Sequence, residues 1–96
     1  MKTEQIVKIF EDNSCMVSAE QSLDGGIMFV EIIGIDWMSP MTLSIIKRIS
    51  SDDPMINFRT ETDKASGWNA EMTKALICIV NSFNKVWQDL YIGAAK

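Results

Sequence analysis

The sequence predicts an α+β fold in which one small domain, residues 1–96, has a three-stranded, mainly antiparallel sheet covered on one face by a long C-terminal helix. Three observations predict it. Polar and apolar side chains alternate over residues 15–23, which is typical of a half-buried strand. Asp24-Gly25-Gly26 follows, and its glycines supply the positive φ angles of a hairpin turn. Apolar residues then recur at spacings of three and four over the last third of the chain, which indicates a helix.

The first half of the chain is predicted to form a short helix and a hairpin. The helix begins at Thr3, whose hydroxyl can cap it, and ends at Asn13, a residue that tolerates a left-handed backbone. The second strand of the hairpin, residues 27–35, is apolar on both faces apart from Glu31. Such a strand lies in the centre of a sheet or has a covered outer face.

The second half completes the predicted order α-β-β-α-β-α. A helix is expected to begin at Ser39-Pro40, because serine is a good cap and proline is tolerated in the first turn. Residues 55–62 are predicted to form the third strand, and residues 68–92 a long amphipathic helix. The buried stripes of these two helices would hold Met41, Ile45, Ile46 and Ile49, and then Met72, Leu76, Ile79, Phe83, Val86 and Leu90.

The register of the hairpin decides where the carboxylate of Glu31 points. With a two-residue turn at Asp24-Gly25, Ser18 lies opposite Glu31, and Glu31 belongs to the outer face of the sheet. A three-residue loop, residues 24–26, would shift the pairing by one and turn Glu31 to the face shared with Val17. The first register is preferred, because burying an unpaired carboxylate costs several kcal/mol.

In that register the outer face carries an apolar patch around two carboxylates. A soluble monomer seldom exposes such a patch without a function. One interpretation is that the N-terminal helix packs over part of it, and the other is that it binds a partner protein or a second copy. The residues of this candidate surface are Ile27, Phe29, Glu31, Ile33 and Glu20.

The composition excludes several classes of function. The chain has 9 basic and 13 acidic residues, a net charge of −4, so we expect no direct binding of nucleic acid or of an anionic membrane. It has no histidine, which removes the commonest general base and metal ligand, and we expect no metal site, no cofactor and no catalytic residue. Two cysteines without an export signal predict free thiols and a cytoplasmic protein.

Three further side chains are candidates for function. On a helical wheel Cys78 falls on the polar side between Lys74 and Lys85, whose ammonium groups would favour the reactive thiolate. The other interpretation of Cys78 is a small apolar filler against a neighbouring element. Trp37 follows the second strand and Trp68 precedes the last helix. Tryptophan is enriched at binding hot spots, but it is also half-buried in many monomers.

The leading hypothesis is a non-enzymatic, small acidic protein-binding module that acts through the exposed sheet face. It would be a regulator, an inhibitor or a chaperone-like accessory. A phage or mobile element could encode it, and it could form a homodimer. In element order the chain is loosely similar to small acidic secretion chaperones and to phage-encoded inhibitors of host machinery, and such a similarity identifies no family. One alternative is a thiol-dependent enzyme or redox protein that uses Cys78. The other is an acidic mimic of nucleic acid built on Glu20, Glu31, Glu61 and Asp63.

Overall fold

The α+β class is confirmed, but the sheet has four strands and not three. The computed structural model describes residues 1–35, 40–60 and 67–95. The strands form one antiparallel sheet in the order β1-β2-β3-β4, so each strand pairs with the next along the chain. The elements are α1 (Thr3–Asp12), β1 (Cys15–Gln21), β2 (Ile27–Gly34), β3 (Met41–Arg48), β4 (Met55–Thr60), α2 (Ala70–Asn81) and α3 (Phe83–Ala95).

The helix predicted to begin at Ser39-Pro40 is wrong, because its residues form strand β3. Met41, Leu43 and Ile45 are buried, and the residues between them are more exposed. The same segment also places apolar residues at helical spacing, so the local sequence fits both periods. Pairing with two neighbouring strands decides between them, and the β-branched residues of this segment suit a strand. Ser39 lies outside the described residues.

The single long helix predicted over residues 68–92 is wrong as well, since α2 and α3 are separated at Ser82. α2 begins after Asn69, whose side chain accepts a hydrogen bond from the Met72 amide at 3.0 Å. An unbroken helix of that length would extend about 37 Å at about 1.5 Å per residue, whereas an eight-residue strand extends only about 27 Å. A single straight helix would therefore run past the ends of the strands, and with the break Phe83 and Val86 are buried in the core.

The two ends of α1 also differ from the prediction. The N-cap residue is Lys2, and Lys2 N–H donates to Oε1 of Gln5 at 2.8 Å. Thr3 is the first helical residue, and it contacts α3 instead of capping α1. At the other end Asn13 has a φ of −106°, and the left-handed residue is Ser14, with a φ of 59°. The helix itself lies where the pattern predicted.

The predicted hairpin register is confirmed, because Ser18 pairs with Glu31 across the β1–β2 ladder. The connecting loop has four residues, numbers 23–26, and not two. Ser22 N–H donates to the Ile27 carbonyl and Gly25 N–H donates to the Ser22 carbonyl, both at 2.9 Å. Gly25 takes a φ of 76°, which favours glycine. The loop takes one further residue from each strand, so the register does not change.

One face of the sheet, here called the inner face, is buried under the three helices. Its central side chains Val30, Ile32, Leu43 and Ile45 are at most 2% exposed. They belong to one core cluster with helix residues that include Ile6, Phe10, Met72, Ala75, Ile79, Phe83 and Val86. The opposite face, here called the outer face, contributes no side chain to this cluster. The helices therefore form a single layer on one side.

Phe10 connects this core to the aromatic side chains at the start of α2. It is fully buried, and its ring lies 6.1 Å from that of Trp68. Phe10→Ala is expected to lower the free energy of unfolding by about 3–5 kcal/mol, through lost burial and the cavity left behind. Urea denaturation followed by circular dichroism would measure it, with Met16→Ala, 49% exposed, as the control. An equal loss in both variants would contradict this account of the core.

A polar contact joins the first and last helices. Thr3 Oγ1 donates to Asp89 Oδ2 at 2.6 Å, and Lys85 Nζ lies 3.1 Å from Asp89 Oδ1. The Thr3 hydrogen bond, followed by that from Lys85, lowers the pKa of the Asp89 carboxyl below its ordinary value. This carboxylate therefore stabilises the fold fully above the ordinary carboxyl pKa of about 3.9, and the effect is lost as the pH falls through the lower folded pKa.

Asp89→Asn is accordingly expected to destabilise the protein more at pH 7 than near pH 3, where the wild type has begun to lose the same contribution. Chemical denaturation at a series of pH values would measure the difference. Asp12→Asn is the matched control, because Asp12 forms an exposed pair with Lys8 alone. A difference between Asp89→Asn and wild type that stayed constant down to pH 2 would show that the charge of Asp89 does not matter.

Candidate functional site

The outer face of the sheet contributes no side chain to the core, and no described helix covers it. Alternation along four paired strands places three rows of side chains across it. The central row is polar, and directly opposite partners bring together Ser18, Glu31, Ser44 and Asn57. One flanking row is mainly apolar and contains Glu20, Phe29, Ile46 and Met55, whereas the other is mixed and contains Met16, Ile33, Thr42 and Arg59.

Glu31 occupies the middle of this face. It is half-buried, and within its strand it lies between the outward-facing side chains of Phe29 and Ile33. Ser18 and Ser44 flank it on the neighbouring strands. Among the residues with known positions, no cation lies within 4.0 Å of its carboxylate, and no hydrogen bond to it is formed. The Glu31 carboxylate, half-buried and without a partner among the described residues, therefore offers a specific contact to a bound molecule.

The apolar side chains of the face differ in how much they protrude. Met16 on the outermost strand at one side is 49% exposed, and Met55 on the outermost strand at the other side is 68% exposed. Phe29, Ile33 and Ile46 lie between them and are half-buried by their neighbours. The face therefore combines polar and apolar side chains and has methionines at two margins. Methionine is flexible and adapts to irregular partner surfaces.

Charges of both signs lie at the margins of the outer face. Glu20 pairs with Phe29 at one edge, while Arg48 pairs with Ile27 and Arg59 pairs with Thr42 further across the sheet. All three charged side chains are exposed. The described part of the face therefore lacks the continuous acidic stripe that would imitate a nucleic-acid backbone.

The two edges of the described sheet differ in how much the other elements cover them. At the β1 edge, the indole Nε1 of Trp87 donates to the Glu20 carbonyl at 2.9 Å, and both α1 and α3 lie against this strand. At the β4 edge, every residue from Met55 to Arg59 is exposed, and β4 has no neighbour beyond it within the described sheet. One edge is thus blocked and the other presents its backbone.

The structure brings together five of the predicted site residues. Ile27, Phe29, Glu31 and Ile33 point outward from β2, and Glu20 lies beside Phe29 on β1. Trp68 belongs elsewhere, since it packs between Phe10 and Phe58, with ring centroids 6.1 and 5.9 Å away. It is half-buried and forms part of the core margin. Trp37, Glu61 and Asp63 lie outside the described residues.

Sequence reasoning missed the half of the outer face that β3 and β4 contribute. Ser44, Ile46 and Asn57 lie on it, but β3 was expected to be a helix, so its outward residues were assigned to other positions. The period-two pattern at Met41, Leu43 and Ile45 was the signal that could have identified them. With β3 in place, Glu31 lies on the second of four strands and has a strand on each side.

Both cysteines are free thiols, and they differ in burial. Cys15 is buried, and burial raises the pKa of its thiol. Cys78 is half-buried and packs against the margin of the core, as expected for an apolar filler. Within residues 1–35, 40–60 and 67–95, no group of three or more cysteine, aspartate and glutamate side chains is arranged to hold a metal ion.

None of the helices with described positions is both long and apolar enough to cross a membrane. The chain matches no protein-family model, and no curated protein and no solved structure is significantly similar to it.

Thiol reactivity separates the two interpretations of Cys78. We expect Cys15 to react slowly with iodoacetamide in the folded protein, because it is 3% exposed and its thiol pKa is raised. Cys78→Ser would report on Cys15 alone, and Cys15→Ala would report on Cys78 alone. Both thiols should react at the rate of a free cysteine in urea. A native rate for Cys78 above that of the unfolded chain would support an activated thiol and contradict the filler role.

Proposed function

We propose that this protein is a non-enzymatic protein-binding module that holds a partner on the outer face of its sheet. The observation that carries the proposal is the one-sided cover of the sheet. Three helices occupy the inner face, while the outer face keeps apolar side chains around a central carboxylate. In a chain of 96 residues, the apolar area available for burial is limited, and an uncovered apolar face points to an external occupant.

The partner is a protein surface that is mainly apolar and carries a lysine or arginine, or a cluster of hydrogen-bond donors, to meet Glu31. Phe29, Ile33 and Ile46 would supply the apolar contact. A donor aimed at Glu31 would be favoured, because the carboxylate is half-buried and has no partner among the described residues. An acidic partner would leave like charges opposed and would be rejected.

The area of the outer face limits how much of the interface with the partner it can provide. Four strands about 4.8 Å apart and about seven residues long project an area of roughly 450 Å². A stable interface buries about 800 Å² on each side. The partner therefore contacts residues beyond the face, and the exposed apolar side chains at its margin include Leu23 in the β1–β2 loop and Ile49 just after β3.

The two other functions have less support. A thiol enzyme would need groups that activate Cys78, and Cys78 packs against the core with no acid, base or second thiol bonded to it in the described chain. A nucleic-acid mimic would use Glu20 and Glu31, but Arg48 and Arg59 share their face. Two free cysteines suit the reducing interior of a cell, so we place the protein in the cytoplasm in this proposal.

A photo-crosslinking amino acid at position 29 would identify the partner in the cells that make the protein. The matched control carries the same amino acid at position 92, because Ile92 is 46% exposed on α3, away from the sheet. We expect a discrete adduct from position 29 alone. Equal adducts from both positions, or none from either, would contradict binding at the outer face.

Phe29→Asp is expected to weaken the complex with that partner roughly 30-fold or more, because a central aromatic side chain contributes about 2 kcal/mol at a hot spot. Glu31→Gln should weaken it less, since shape is kept and only charge is lost. Ile92→Asp is the control, and calorimetric titration gives the dissociation constants. Circular dichroism must show folded protein for each variant. Unchanged affinity in folded Phe29→Asp protein would rule the face out.

A further inference from the structure

Strand β4 is an edge strand of the described sheet, with a strand paired on one side alone. It lies at one end of the sheet, and Met55, Ile56 and Phe58 are 68%, 50% and 41% exposed. Exposed sheet edges are normally protected by several charges, by proline or by a bulge. Between residues 55 and 59 the only charged side chain is Arg59, and Pro54 precedes the strand without interrupting it. This edge is therefore open to pairing with another strand.

The helix beside β4 carries exposed apolar surface at the same boundary. Trp68 packs on Phe58 of β4, with a centroid separation of 5.9 Å, and its Nε1 donates to Thr73 Oγ1 at 2.8 Å. The side of α2 that bears Thr73 is thus the side nearest β4. Ile77 lies one helical turn further along this side and is 53% exposed. Ile56 and Phe58 thus form an apolar boundary along the open edge, and Ile77 is an exposed apolar side chain on the side of α2 that contacts Trp68.

We propose that β4 pairs antiparallel with β4 of a second copy of this chain, with the two-fold axis passing through Asn57. The two sheets then join into one of eight strands, and the exposed boundary becomes the inside of a dimer. This inference does not rest on the proposed function, because it uses the edge of the sheet and leaves the outer face open.

The residue order of β4 favours this register. A two-fold axis perpendicular to the sheet places residues of the same face opposite one another, so pairs form at equal distances on either side of the axis. With Asn57 at the axis, Ile56 lies opposite Phe58 of the second copy on the inner face, and this pair occurs twice. On the outer face, Asn57 meets its own copy, and amide side chains can both donate and accept.

The charged residue of β4 is also accommodated in the same register. Arg59 lies opposite Met55 of the second copy and not opposite a second arginine, so no like charges meet within β4. A register centred on Ile56 would instead place Pro54, which has no N–H, opposite Phe58. The apolar pair formed twice around the axis, with the amide of Asn57 opposite its own copy, is the reason to assign this edge to a second copy and not to a foreign strand.

Sedimentation velocity over a range of protein concentrations tests the dimer. We expect wild type to sediment as a dimer, and both Ile56→Lys and Ile77→Lys to raise the dimer dissociation constant roughly 100-fold by placing an ammonium group in the contact. The control is Met16→Lys, which adds the same charge at a similarly exposed position on the far side of the sheet and should remain a dimer. Circular dichroism would verify that each variant is folded.

Disulfide formation tests the register. In a Cys15→Ala, Cys78→Ser background, Asn57→Cys should give a covalent dimer under mild oxidation, because the two positions face each other at the axis. Arg59→Cys is the control, since its copies would lie four residue pairs apart and should not crosslink. A monomer up to about 100 μM, well above the Kd of a stable dimer, would overturn the proposal. A dimer that is dissociated by Phe29→Asp but not by Ile56→Lys would overturn it too.

Discussion

Burial of the inner faces of β2 and β3 under the helices is the interaction on which the rest of this structure depends. Val30, Ile32 and Ile45 are completely buried there. These residues fix the alternation of both strands, because a slip of one residue would turn all of them outward. The same alternation sends Glu31 to the other face with Phe29 and Ile33. The outer surface is therefore a direct consequence of how the core is packed.

The sequence predicted the structure correctly where only one arrangement of the chain met a physical requirement. The β1–β2 register followed from keeping Glu31 out of the core, and the structure has that register. The prediction was wrong where the local sequence fitted a helix and a strand equally well. Residues 41–49 satisfy both a helical and a strand spacing, and only the presence of strands on both sides favours the strand. The apolar spacing also runs unbroken through Ser82, so the pattern alone does not locate the end of α2.

The candidate site was predictable to the same extent as the strands that carry it. Ile27, Phe29, Glu31, Ile33 and Glu20 share one face because they depend on a single hairpin. Ser44 and Ile46 were missed because β3 was assigned to a helix. Asn57 lies on β4, which was predicted as a strand, but its place on the outer face depends on the pairing of β4 with β3. Trp68 was predicted to lie partly exposed at the end of an element, and it is half-buried there, but its packing between Phe10 of α1 and Phe58 of β4 could not be predicted. Contacts between distant elements have no signature in the local sequence.

The hydrogen bond from Trp87 to the Glu20 carbonyl has a consequence for how many copies can assemble. A sheet with two open edges can add copies at both, and such growth has no end point, which is the geometry of a fibre. Here the indole and the adjacent helices occupy the β1 edge, so of the two edges of the described sheet only that of β4 is available for pairing. In the proposed pairing, two copies joined at β4 would present a blocked edge at each end. The tryptophan would thus limit association to a closed pair.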